Sequence, residues 1–166
     1  FHYRDWKPAH DEAPTLLLLH GYTGHARSWE AFAERMPDRF RVLALDQRGH
    51  GETQWAPPDA YGTGEMVADL EAFVTALDLK SFALVGLSMG GIVSIAYAGG
   101  APSVLDRLVV VDIAPRISTA GLQGIQQRVA RSDVFASVDE AFKRAREDNP
   151  VPPDDHHYHR VRHSLM

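Results

Sequence analysis

The stretch Val85-Gly86-Leu87-Ser88-Met89-Gly90-Gly91 constrains this chain more than any other. Phe82 to Val85 is a short apolar run that reads as a buried strand, and Ile92, Val93, Ile95, Ala96 and Tyr97 read as a buried helix. A serine with glycine two before and two after, between strand and helix, is the nucleophile-elbow pattern. So tight a turn crowds its own backbone, and Gly86 and Gly90 stand where a side chain has no room. The Ser88 hydroxyl is lifted clear at the head of a helix, where free N–H groups can stabilise an oxyanion. The competing reading is a glycine-rich turn whose serine merely caps the helix. Two further stretches decide against it.

Upstream, Phe1 to Trp6 alternates apolar with polar residues and reads as a half-exposed strand. Thr15 to Leu19 is continuously apolar, the signature of a strand covered on both faces, and it delivers His20-Gly21-Tyr22-Thr23-Gly24. Trp29, Phe32, Ala33 and Met36 fall on one face of a short helix that Pro37 stops. Phe40 to Leu45 is the next strand, ending in Asp46-Gln47-Arg48-Gly49-His50-Gly51-Glu52-Thr53. Thr63 can cap a helix carrying Met66, Leu70, Phe73, Val74 and Leu77 on one face. Leu105 to Val111 is a last strand and ends at Asp112.

Strands alternating with helices through short links predict a mostly parallel α/β sheet with helices on both faces. Such sheets take ligands at the carboxyl ends of their strands. His20, Asp46, Ser88 and Asp112 all fall there. After Pro115 the alternation stops. Leu122, Ile125 and Val129 mark a weak helix; Ser137 to Glu140 is a capping box that opens a second; Asp154 can cap a third with Tyr158, Val161 and Leu165.

With 166 residues, 45 % of them hydrophobic, the chain has enough apolar surface for a real core. A net charge of −5 with no basic block argues against nucleic acid as a partner. The absence of cysteine removes both a disulfide framework and a thiol nucleophile. The run Leu16 to Leu19 is far too short to cross a bilayer, so no membrane partner is expected. No signal peptide is present, and the default placement is cytoplasmic, on a chain that begins at Phe1 rather than Met.

Three blocks in this order, His20 to Gly24, Asp46 to Thr53 and Gly86 to Gly91, resemble the α/β-hydrolase superfamily, in its serine esterase and lactonase-like branch. Val111-Asp112-Ile113-Ala114-Pro115 is similar to the family's exit from its sixth strand. The resemblance implies a core over residues 1–116 and the beginning of a helical lid over 117–166, with the fold incomplete at both ends. It implies Ser88 as nucleophile, forming an acyl-enzyme. The backbone N–H groups of Tyr22 and Met89 are the implied oxyanion donors, with Gly86 and Gly90 as the elbow glycines. Serine rather than aspartate at position 88 argues against the dehalogenase and epoxide-hydrolase branches.

The resemblance also orders the other candidates. Arg48 with Asp46 could brace a tight loop beside the pocket. Histidine as a residue type suits a general base, which makes His50 a candidate, but the family's base follows a later strand, outside this sequence. His20 reads as a packed residue that shapes the oxyanion loop. Asp112 is either the triad acid or a loop-bracing aspartate, and both readings stand. His156, His157, His159 and His163 include an i, i+4 pair, but a third ligand and the glutamate of a metalloprotease helix are missing. A polar lid helix is expected there, with no metal and no cofactor.

The resulting expectation is a serine hydrolase acting on a small carboxylic ester, lactone, thioester or activated C–C bond. Its partners are a small acyl substrate and the missing C-terminal half, on the same chain or as a docked fragment. The sequence sets no oligomeric state. This segment alone, lacking the catalytic histidine, is expected to be inactive. Two alternatives share the fold: a binding or receptor module without turnover, and a cofactor-free perhydrolase or haloperoxidase-like activity.

Overall fold

The computed structural model describes residues 1–10, 12–36, 38–113 and 134–164. The chain divides into two units, Phe1–Ile113 and Ala114–Met166.

The first unit is built on five strands: β1 (Tyr3–Trp6), β2 (Thr15–Leu19), β3 (Arg41–Leu45), β4 (Phe82–Leu87) and β5 (Leu105–Val111). They lie in the order β1-β3-β2-β4-β5, with β1 antiparallel to β3 and every other pair parallel. The continuous leucine run takes the middle of the sheet, where Leu17, Leu18 and Leu19 are fully buried. Burying a leucine stabilises by roughly 1.5–3 kcal/mol, so these three matter against a total of about 5–15 kcal/mol.

Successive side chains of a strand point to opposite faces, and the core divides accordingly. On one face Leu17, Leu19, Leu43, Leu45 and Leu84 pack against α2 (Thr63–Ala76) and α3 (Met89–Gly99). On the other, Leu18, Val42, Ala44 and Val85 meet Ala26 and Ala33, with Trp29 and Phe32 against them. Helical elements therefore cover both faces, as the alternating pattern predicts.

Three local expectations are corrected. The stretch expected as one helix over Trp29 to Met36 is a 3-10 turn, Ala26–Trp29, followed by a single α-turn, α1 (Glu30–Ala33). His25 and Ser28 cap each other reciprocally there and favour the tighter turn. Pro37 lies outside the described residues. Helix α2 is capped by Gly62 rather than Thr63, which is its first helical residue. Gly62 leaves room beside it for the Glu65 carboxylate, which lies 2.5 Å from where a Cβ would stand. Arg48 and Asp46 hold the loop after β3 through separate partners rather than as a pair. The Arg48 guanidinium reaches α2 and grips Asp69 through Nε (2.5 Å) and Nη2 (2.7 Å), because Asp46 is already taken by other donors.

In the second unit, α4 (Val138–Asp148) and α5 (Asp154–Ser164) are the described helices. Ser137 caps α4 by accepting the Glu140 N–H at 3.2 Å, while the Glu140 carboxylate accepts the Ala136 N–H at 2.7 Å. Phe142 of α4 stacks on Tyr158 of α5 at 3.9 Å between ring centroids. His159 and His163 lie one turn apart on α5, their rings 4.7 Å apart. Leu122, Ile125, Val129 and Leu165 fall outside the described residues.

Candidate active site

The registers of the parallel pairs bring the candidate residues to one edge of the sheet. Leu19 stands beside both Leu45 and Gly86, and Leu87 beside Val111. The residues that follow, His20, Asp46, Ser88 and Asp112, therefore leave the sheet side by side.

Ser88 occupies the turn between β4 and α3 with φ 50° and ψ −112°, a conformation that L-residues adopt at a cost of about 1–3 kcal/mol. Two close approaches and two main-chain hydrogen bonds hold it there. A Cβ on Gly86 would collide with the Gly90 carbonyl and the Ser94 hydroxyl, and one on Gly90 would lie 2.5 Å from the Leu19 carbonyl oxygen. The Gly90 N–H donates to the His20 carbonyl at 3.1 Å, tying the elbow to the loop after β2. The Ser88 N–H donates to the Val111 carbonyl at 2.9 Å, tying it to β5. Among the described residues the Ser88 hydroxyl makes no hydrogen bond of its own and is half-buried.

The loop after β2 is pinned from beneath by His20. Its Nδ1–H donates to the Gly21 carbonyl at 2.8 Å, and its Nε2 accepts the Gln47 N–H at 3.1 Å. These partners require the neutral ring. Burial, with a smaller contribution from His50, lowers the His20 pKa to about 4 against the bond to Gly21. Gln47 closes the layer, donating from Nε2 to the His20 carbonyl at 2.8 Å. Gly21 packs directly over Ser88, since a Cβ there would lie 3.4 Å from the Ser88 Cβ. Tyr22, the next residue, brings its main chain beside the elbow. Met89 is the first residue of α3, so its N–H has no acceptor within the helix. Ser88 thus lies between Gly21, packed over it, and Met89, which opens α3.

Asp46 anchors the other loop. Its buried carboxylate accepts from Ala26 N–H (2.5 Å), Glu52 N–H (3.1 Å) and His2 Nδ1 (2.6 Å). Burial pushes this carboxyl upward, but these hydrogen bonds outweigh it and hold the pKa below the usual carboxylate range. Gly51, at φ +53°, passes so close that a side chain would strike the carboxylate. His50 sets Nδ1 against the Arg48 carbonyl (2.9 Å) and Nε2 against the Tyr22 carbonyl (2.5 Å). It faces the loop rather than Ser88. Asp112 stands one residue beyond the carbonyl that holds the Ser88 N–H, exposed and at φ 54°.

Beside Tyr22 and Met89 opens a cavity of about 720 Å³, walled by residues of the loop after β3 and the first turns of α2 and α3. Sequence reasoning missed three contributors. Gln47 and Asp69 act through partners about 20 residues away or more, which no local pattern reveals. Tyr61 packs its ring against Gly49, where a Cβ would lie 2.5 Å from Cε1, and the glycine at φ +73° was the available clue.

A strained serine between glycines, bracketed by two main-chain segments at the carboxyl edge of a parallel sheet, defines a class. The chain belongs to the α/β-hydrolase fold family, whose sequence model matches residues 14–160. Among its relatives, 2-(acetamidomethylene)succinate hydrolase of Mesorhizobium japonicum is 32% identical over 144 residues, covering 85% of this chain and 51% of that protein. N-formylmaleamate deformylase of Pseudomonas putida is 44% identical over 107 residues, covering 64% of this chain and 39% of that one. The crystal structure of E-2-(acetamidomethylene)succinate hydrolase superposes with a TM-score of 0.87 at 28% identity, over 97% of this chain and 59% of that one. The chain thus spans about half the length, or less, of these curated relatives. Among the described residues no helix is long and apolar enough to cross a membrane.

Proposed function

We propose that the protein is a serine hydrolase that cleaves a small carboxylic ester or related acyl compound through an acyl-enzyme on Ser88. The backbone of Ser88 carries this reading: a non-glycine residue held at φ 50° by two close approaches and two main-chain hydrogen bonds is strain kept for a purpose. In the first step the Ser88 oxygen attacks the substrate carbonyl carbon and its proton passes to a base. The tetrahedral oxyanion accepts from the Tyr22 and Met89 N–H groups. Each such donor is worth about 2.7–4 kcal/mol of transition-state stabilisation. Collapse expels the protonated alcohol, and water, activated by the same base, returns the acid and free Ser88.

His20 and His50 do not supply that base, because both nitrogens of each ring are already turned to main-chain groups. The base is a histidine of the polypeptide that completes the sheet beyond β5. Asp112, beside the elbow, is the candidate to orient it. The apolar residues of β5 support such a completion, and α4 with α5 belong to a helical lid segment. Relatives named as hydrolases acting on acyl and amide-like compounds support the reaction class.

The test is a stopped-flow reaction of the full natural polypeptide with p-nitrophenyl acetate. A burst of one p-nitrophenol per protein, lost in Ser88→Ala, is the expected outcome. A burst that survives in Ser88→Ala would remove Ser88 from the chemistry.

A further inference from the structure

The cavity beside Ser88 has a composition that selects ligands. Met66 and Val93, both buried, form its floor. Tyr61 forms a fixed wall: its ring lies on Gly49 and its hydroxyl accepts the Ala56 N–H at 2.9 Å. Trp55, 75% exposed, and Ile92 stand at the mouth. Among the described lining residues there is no Lys, Arg, Asp or Glu, and the one histidine, His50, has both ring nitrogens turned away to the Arg48 and Tyr22 carbonyls. Arg48, the nearest guanidinium in sequence, is committed to Asp69 and to the Ala60 and Glu65 carbonyls. A carboxylate entering here would lose its water without gaining a cation, whereas alkyl or aryl surface would gain by leaving water. The volume falls within the ordinary range for small-molecule sites.

We infer that this cavity is the acyl subsite of the enzyme and takes an uncharged apolar acyl group. The inference rests on the serine-hydrolase reading above, because Tyr22 and Met89, the proposed oxyanion donors, both line the cavity and Met89 directly follows Ser88. Trp55, Tyr61 and Ile92 are then specificity-determining residues.

The experiment measures kcat/KM of the full natural polypeptide for p-nitrophenyl acetate, butyrate, hexanoate and hemisuccinate. Each added methylene is expected to raise it about fourfold, on the order of 10² from acetate to hexanoate. The hemisuccinate is expected to fall at least ~10-fold below the butyrate. Ile92→Lys places an ammonium at the mouth; the hexanoate-to-acetate ratio should drop about tenfold and the hemisuccinate should gain. Trp55→Ala, at an exposed position that folding tolerates, should lower the same ratio several-fold. A second readout needs no turnover: tryptophan fluorescence of Ser88→Ala titrated with 2-octanone and with levulinate, where only the octanone should bind.

The outcomes separate the two claims. Acylation of Ser88 with a flat chain-length series, or equal rates for hemisuccinate and butyrate, overturns the subsite and leaves the hydrolase. No acylation, but octanone binding that Ile92→Lys abolishes, overturns the hydrolase and leaves an apolar ligand site. Failure of both readouts overturns both.

Discussion

The two edges of the sheet are built on different terms. Strand β1 is short, half-buried and laced with charge: Arg41 of β3 grips its Asp5 through Nε (3.1 Å) and Nη2 (2.8 Å). Its antiparallel pairing ends at the His2–Asp46 contact. Strand β5 is longer and carries Leu108-Val109-Val110-Val111, with Val109 48% exposed and the other three between 37% and 38%. Proteins blunt a true edge with short strands and charged side chains, and β1 does so. The end of β5 has the composition of an interior strand. Its exposure on both faces, together with Ile95 of α3, reads as a surface made to be covered.

That contrast can be broken by mutation, and the largest effect belongs to β5. If further strands pair with it in the full natural polypeptide, Val109→Lys should destabilise by more than about 3 kcal/mol, measured by urea unfolding. A loss within about 0.5 kcal/mol would mean that β5 is an open edge after all. Next comes the layer between the edges. Asp46→Ala strands the buried Ala26 N–H and frees the part-buried Glu52 N–H, and should cost about 1–3 kcal/mol. The same measurement on Glu52→Ala, which keeps the main-chain donor, should move little.

The pH dependence sharpens the same comparison. The pKa of His20 is lowered on folding from 6.5 to about 4, so the unfolded chain binds the extra proton first. Its contribution is fully present above about pH 6.5 and is lost as pH falls toward 4, at most roughly 3 kcal/mol. His20→Asn should flatten the stability curve between those values. Asp46 adds its own loss lower down, as pH falls through its depressed pKa. The smallest effect is expected at β1. Asp5→Ala breaks a partly exposed ion pair and should cost no more than about 1 kcal/mol, diminishing in salt.

The sheet was legible because each strand announced itself in its own composition. Thr15 to Leu19 could only be a central strand, and the alternation of Phe1 to Trp6 fitted an edge. The elbow was equally open to reading: Gly86 is demanded by the Gly90 carbonyl within the same turn, and Gly90, set against the Leu19 and His20 carbonyls, completes the spacing that marks the motif. What the sequence could not disclose were contacts that join distant loops. Arg48 has acids at 46 and 52 nearby, yet it pairs with Asp69, which α2 brings to it. Asp46 stood out as a strand-end residue, but nothing local says that its partners are His2 and the Ala26 N–H. The helix expected over Trp29 to Met36 failed for a related reason. Four apolar residues at helical spacing also fit a 3-10 turn followed by one α-turn, and the His25–Ser28 caps decided between them.

The central claim is that Ser88 is the acylated residue, and the most direct test is intact mass after reaction with a fluorophosphonate, followed by peptide mapping. The account predicts one adduct per chain of the full natural polypeptide, on Ser88, absent in Ser88→Ala and blocked by prior acylation with a slow ester. No adduct, or one on another residue that persists in Ser88→Ala, would contradict it.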